Sequence, residues 1–308
     1  MIKITRKTLA VAISTLSILL PCSKAVAATF SQAENLVIDD AVFAYDFETV
    51  QNDTIQALRG SDATKTSNVV VDAVDPIERI SNQHLQAPTG SGFSSINSNT
   101  RLSESISEFS FSIFYNDRGD NGRDGSSTSA ARLLSSYNGT GVAQEDEVVF
   151  DLLSNAGRRL RFVTKGTSVF SSEAIPFRDE IWHQAGFVFD NGSLTFYFDG
   201  LPLGDSRIIP GITSISAQSF NWSLLEDARP VSILSEYFDS GDYDEAALWY
   251  RALSPQEMNA LYTQGVNQAS IGNTEDKSVN IPEPTSMFAL ILMGGILTAS
   301  ALRKENNS

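Results

Sequence analysis

The side chains of this 308-residue chain that could do chemistry are its carboxylates and its two histidines. Two carboxylates about 5 to 5.5 Å apart would serve a retaining glycoside hydrolase. On a strand that demands acids on one face, four residues apart, or five with a bulge. The nearest run is Glu145-Asp146-Glu147-Val148-Val149-Phe150-Asp151. Glu145 and Glu147 share a face, but Val149 holds the fourth position and Phe150 the fifth, so the pair is missing. Asp242-Tyr243-Asp244-Glu245 puts its first two acids only two apart. His84 and His183 have no cysteine or acidic motif beside them, and strand histidines of that kind pack or hydrogen-bond. The loop from Asp117 fails as a calcium loop, because Gly119 stands at the third ligand position and Thr128 at the twelfth. The expectation is a protein that is not an enzyme.

Composition narrows the remaining classes. Lys+Arg number 22 against 37 Asp+Glu, a net charge of -15, which leaves no means of gripping a phosphate backbone and argues against nucleic acid. A single cysteine excludes a disulfide scaffold and a cysteine-built zinc site. Hydrophobic content of 42% with 18 Phe is too rich for a disordered chain and suits one large core.

The two ends read as addresses rather than as parts of that core. Lys3, Arg6 and Lys7 precede an apolar run from Leu9 to Leu20, and Ala25 and Ala27 complete the pattern of a secretory signal peptide over 1–27, cleaved after Ala27. Cleavage there removes Cys22 with four basic residues, Lys3, Arg6, Lys7 and Lys24. The basic count falls from 22 to 18 against 37 acids, and the net charge from -15 to -19. At the other end, Ile281-Pro282-Glu283-Pro284-Thr285 precedes an apolar stretch from Met287 to Leu302 and then Arg303-Lys304. This order resembles the PEP-CTERM sorting signal of exopolysaccharide-producing Gram-negative bacteria. The resemblance implies a transmembrane sorting helix within 282–308, transient anchoring in the inner membrane, and processing at Pro282, Glu283 and Pro284 by an exosortase-type protease. The basic stop independently keeps the extreme C-terminus cytoplasmic, so the folded body faces outward.

Between the addresses the signal is almost all strand. Phe43, Tyr45 and Phe47 alternate with smaller or polar residues, as do Phe109, Phe111, Ile113 and Tyr115. Val148–Leu153 and Arg161–Thr164 read as a strand pair. Ala185 to Asp199 reads as a hairpin in which Phe187 and Phe189 meet Leu194, Phe196 and Phe198 across Asp190-Asn191-Gly192. One helix is expected where Ser254, Pro255 and Glu257 supply the cap, the first-turn proline and the capping-box acid, with Met258, Leu261 and Tyr262 following at helical spacing. Residues 267–281 read as a polar linker.

Four of these segments carry a second resemblance. Ile181-Trp182-His183-Gln184-Ala185, continuing through Phe196-Tyr197-Phe198-Asp199-Gly200, is similar to the central hairpin of laminin-G-like, concanavalin A-like domains. Asp244-Glu245-Ala246-Ala247-Leu248-Trp249-Tyr250-Arg251-Ala252-Leu253-Ser254 resembles the closing strand and helix of that family, Phe43–Glu48 its opening strand, and Phe109–Tyr115 a further strand. The chain departs from the pattern where Phe114 or Tyr115 replaces a frequent Trp and Ala246 a valine. The resemblance implies an all-β jelly-roll sandwich over 28–266 with one short C-terminal helix.

It also implies candidate ligands. Some laminin-G-like domains bind one Ca2+ at the sandwich rim, and adjacent first and last strands would bring Asp46 and Glu48 to Asp242 and Asp244. Trp222, in Phe220-Asn221-Trp222-Ser223, lies outside the family strands and reads either as a glycan-stacking ring or as a core plug. The expected function is recognition at the cell surface or in the extracellular matrix, with exopolysaccharide as the partner. The alternatives are a structural or adhesive matrix protein that binds other proteins and, less favoured, a glycoside hydrolase.

Overall fold

A computed structural model describes residues 36–66, 69–72, 83–87, 95–117, 130–137, 147–153, 158–176, 179, 181–225 and 241–270, all within the unit Glu34–Ser308. The signal segment with Ala27, the sorting motif Pro282-Glu283-Pro284 and the stretch Met287–Leu302 lie outside the described residues. Among the described residues no helix is long and apolar enough to cross a membrane.

The alternating segments become strands β1 (Phe43–Tyr45), β2 (Val50–Gln51), β3 (Thr54–Ile55), β4 (Ala63–Lys65), β5 (Val70–Asp72), β6 (His84–Ala87), β7 (Ile96–Asn97), β8 (Glu108–Asp117) and β9 (Ala130–Ser136). The chain continues through β10 (Val148–Leu153), β11 (Arg159–Thr164), β12 (Thr167–Phe170), β13 (Trp182–Asp190), β14 (Ser193–Phe198), β15 (Leu201–Pro202), β16 (Arg207–Ile208), β17 (Ser223–Leu224) and β18 (Gly241–Trp249), and ends in helix α1 (Pro255–Gln264). They form two antiparallel sheets. The first runs β15-β14-β13-β8-β18-β6-β5, with β1 also on β18 and β16 on β14; the second runs β12-β11-β10-β9-β17-β7-β4-β3-β2. This is the all-β sandwich with one short helix that the family resemblance implies.

Local chemistry fixes the registers. Asn191 and Gly192, with φ of 48° and 89°, close the β13–β14 hairpin in the two-residue turn whose twist matches its strands; Phe187 pairs with Phe196 and Phe189 with Leu194 as expected, while Phe198 falls opposite Ala185 and Asp190 joins the ladder opposite Ser193. The opening strand zips to the closing one, Phe43 opposite Leu248 and Tyr45 opposite Ala246. Phe109, Phe111, Phe187 and Phe189 of the first sheet meet Phe150 and Phe162 of the second at centroid separations from 5.0 to 6.4 Å. Each fully buried ring contributes roughly 1.5–3 kcal/mol.

α1 covers part of the outer face of the first sheet. Ser254 Oγ accepts from Glu257 N at 3.2 Å and Glu257 Oε2 accepts from Ser254 N at 2.7 Å, the capping box read from the sequence. Met258 and Leu261 then bury against Val188, Tyr197 and Trp249. The helix sits close because position 186 is glycine: a Cβ there would lie 2.6 Å from both Met258 Cε and the Phe111 carbonyl.

Candidate functional site

The second sheet carries a charged row on its outer face. In β10, Val148, Phe150 and Leu152 point into the core, so Asp151 points outward; in β11, Leu160 and Phe162 point inward and Arg161 outward. Asp151 pairs with Arg161 on one side. On the other, a register shift between Phe150 and Asp151 skips Leu133 and sets Arg132 opposite Asp151. This β-bulge turns Arg132 outward while Leu133 and Leu134 both stay in the core. Asp151 Oδ1 then accepts from Arg132 Nε at 2.9 Å, and Oδ2 accepts from both Nε and Nη2 of Arg161, the former at 3.0 Å. Arg132 Nη1 also donates to the Tyr137 hydroxyl at 2.5 Å.

The row ends on an exposed ring. Arg161 pairs across to Phe170 on the edge strand β12, where Val169 packs inward and Phe170 outward. Asp151 is 0% exposed, the Arg161 side chain 20% and Phe170 36%, so the row passes from a sealed ion pair to an open guanidinium edge beside an open phenyl face. One step along the strands, Val149, Val163 and Tyr137 form an apolar cluster with half-buried Phe220. The chemistry available here is stacking plus directed hydrogen-bond donation.

The outer face of the first sheet is polar where α1 does not reach. His84 is buried with its Nε2 3.4 Å from Asp242 Oδ1, and its ring lies edge-on to Trp182 at 5.3 Å. Gln184 donates to Ser112 Oγ at 2.8 Å and accepts from Gly200 N at 2.9 Å. At the start of β13, His183 has Nδ1 2.8 Å from Asp199 Oδ2 and Nε2 3.0 Å from Asp179 Oδ2. Burial pulls this imidazole down, but the two carboxylates outweigh it and hold it above its ordinary value, with Asp179 correspondingly lowered. When protonated, the imidazole donates from both nitrogens, so His183 clamps the β13 entry to the β14–β15 turn.

The structure does not assemble the calcium quartet expected from the family resemblance. β1 does lie beside β18, but that register sets Asp46 next to Glu245. Asp242 lies further along β18, opposite Gln86 and near His84. Among the described residues no group of three or more His, Cys, Asp or Glu is placed to hold a metal ion. Burial governs two of the acids in this region. Burial lifts Glu245 well above the usual carboxylate range, reinforced by Asp244, Asp46 and Glu48, and its Oε2 accepts from Val266 N. Burial, then Glu48, lifts Asp46. Trp222 is likewise no stacking platform: it is 0% exposed in the inter-sheet core, 6.3 Å from Phe109, and its Nε1 donates to the Tyr250 hydroxyl at 3.1 Å. The core-plug reading is the correct one.

A family model described as the Concanavalin A-like lectin/glucanases superfamily matches residues 90–259, more than half of the chain and the span that holds both charged faces. The chain belongs to this superfamily. Among solved structures, the botulinum neurotoxin serotype G binding domain is 14% identical with a TM-score of 0.51, covering 72% of this chain and 50% of that one. A Trypanosoma rangeli sialidase in a covalent-intermediate complex is 14% identical with a TM-score of 0.47, over 72% and 32%. A SAP-like pentraxin from Limulus polyphemus is 14% identical with a TM-score of 0.42, over 57% and 80%. The toxin likeness is one of fold, and this chain spans half of the toxin domain and about a third of the sialidase. No curated protein matches the chain.

Sequence reasoning on this lectin/glucanase-superfamily chain overlooks Arg132, Arg161 and Phe170. Arg132 and Asp151 are nineteen residues apart and meet through a bulge that leaves no local signature. Phe170 offered a signal, a lone aromatic on the solvent side of a short strand after the Lys165-Gly166 turn, both at positive φ.

Proposed function

We propose that the domain is a non-enzymatic carbohydrate-recognition module whose contact site is the edge of the second sheet at Arg161 and Phe170. The observation that carries this reading is the exposed Phe170 ring held next to a guanidinium that Asp151 fixes in place. A sugar face stacks on such a ring, and its oxygens accept from the adjacent donor. The superfamily fold is compatible with carbohydrate binding. At this contact site the non-enzymatic part is supported by Asp151, whose two oxygens are occupied by Arg132 and Arg161 and so offer neither a free nucleophile nor a proton donor there. The signal segment and the Pro282-Glu283-Pro284 tail support delivery to the cell surface through exosortase-type processing, with exopolysaccharide of the surrounding matrix as the partner.

The test is a glycan array probed with the full chain and with Phe170→Ala. The expected result is binding to a defined glycan set that falls at least tenfold in the variant. Silence of the unaltered protein across the array would overturn the reading.

A further inference from the structure

We infer that the Arg161–Phe170 site selects carboxylated sugars, polymers of uronic-acid type, over neutral ones. The inference rests on the carbohydrate reading above and concerns the hydrogen-bonding sense of the site. A neutral sugar presents hydroxyls, which donate as well as accept, and a site built for them supplies both senses. Here the only carboxylate of the row, Asp151, is fully buried, with both oxygens taken by Arg132 Nε and by Arg161 Nε and Nη2. Arg161 is open at its edge, and its Nη1 makes no hydrogen bond among the described residues. The charged group offered to a ligand is therefore a donor, with the exposed Ser168 hydroxyl as its neutral neighbour on the same face of β12, and its natural complement is an anionic acceptor.

The charge points the same way. Arg161 presents a positive charge at its open edge, in a chain whose net charge is -15. That positive charge is stationary: Asp151 pins Arg161 through two donors and cannot itself turn away, because Arg132 holds its other oxygen. A fixed planar guanidinium edge suits a planar carboxylate better than a tetrahedral sulfate. Phe170, one strand outward in register with Arg161, takes the pyranose face that carries the carboxylate. The surrounding negative charge repels a polyanion at long range, so attraction is confined to this contact, and moderate salt screens the repulsion as much as the pairing. Binding then lacks the steep loss with salt shown by a general basic patch.

The experiment uses the full chain and four polymers: polygalacturonate, its methyl ester, its carboxyl-reduced form, and a sulfated neutral glucan. The expected result is binding to polygalacturonate at least tenfold tighter than to the ester or the reduced form, with the sulfated glucan no better than these. Arg161→Gln should abolish the preference, and Arg161→Lys, a point charge without the second donor, should restore only part of it. The methyl ester removes the charge from the ligand, so the test holds even where an Arg161 variant folds poorly. Equal binding of acid, ester and reduced polymers would overturn the inference and leave carbohydrate recognition standing. Preference for the sulfated glucan would overturn the choice of carboxylate. Binding to none of the four, with a silent array, would remove the carbohydrate reading as well.

Discussion

The outer faces of the two sheets belong to one sandwich and treat their surfaces in opposite ways. On the first sheet, apolar positions such as Val188, Tyr197 and Trp249 are consumed by α1, and the polar remainder turns inward on itself: Gln184 serves Ser112 and Gly200, and His84 lies against Asp242 and Trp182. On the second, the charged row is anchored in a buried ion pair but runs outward to an exposed edge at Arg161 and Phe170. Side chains whose partners lie within the fold stabilise it, whereas a side chain fixed at one end and open at the other can meet a ligand.

The largest expected effect tests that contrast directly. Asp151→Ala leaves two guanidiniums facing each other in a dry setting, at a cost of about 3–5 kcal/mol in urea unfolding, and releases Arg161 so that glycan binding falls with stability. Met258→Ala on the opposite face should cost roughly 2–4 kcal/mol through the cavity under α1 and leave the affinity of the folded fraction unchanged. Loss of binding in the Met258 variant alone would reverse the roles assigned to the two faces.

Next in size is His183→Gln, which removes the clamp between Asp179 and Asp199 at a cost of about 2 kcal/mol in mildly acidic buffer. Because the folded-state value of this imidazole is raised, its contribution is complete below the ordinary 6.5 and is lost as pH rises through the folded value. The stability gap between wild type and variant should narrow as pH increases above 6.5, and a gap that widens would refute the charged clamp. The smallest effect is Glu245→Gln. A carboxyl raised by burial opposes folding increasingly as pH climbs above its ordinary 4.5. The amide keeps an acceptor for Val266 N without the charge, so the variant should match wild type near pH 4 and melt higher near pH 8. Melting curves at the two values decide it.

What could be read from the chain depended on how far apart the deciding residues lie. The β13–β14 hairpin is written in Asn191-Gly192 and the alternation around it, and the α1 cap in Ser254 and Glu257, because these interactions span a few residues. The pairing of β1 with β18 was reachable only through the family resemblance. The site was mostly hidden. Asp151 is visible as an acid in a strand, but its meaning depends on Arg132 across a bulge and on Arg161 across a turn. Trp222 misleads for the reverse reason: Phe220 beside it reaches the half-buried outer cluster while Trp222 goes to the core, so local alternation does not tell which side the indole takes. Of the four acids expected around calcium, Asp46 and Glu48 follow β1 while Asp242 and Asp244 lie in β18, and the register separates Asp242 from Asp46.

The place of β18 sets an order of assembly. This last described strand lies in the middle of the first sheet, with β8 along one edge and both β6 and β1 along the other, and the segments that flank the sandwich are tied by the Leu36–Ser270 bridge and by Trp249 Nε1 donating to the Val37 carbonyl at 2.8 Å. Until residues 241–249 arrive, the first sheet exists as separate pieces with open edges, and closing it joins segments some two hundred residues apart. A chain made from its N-terminus onward therefore stays incomplete until nearly all of the domain has emerged, and the strand at 241–249 acts as the latch.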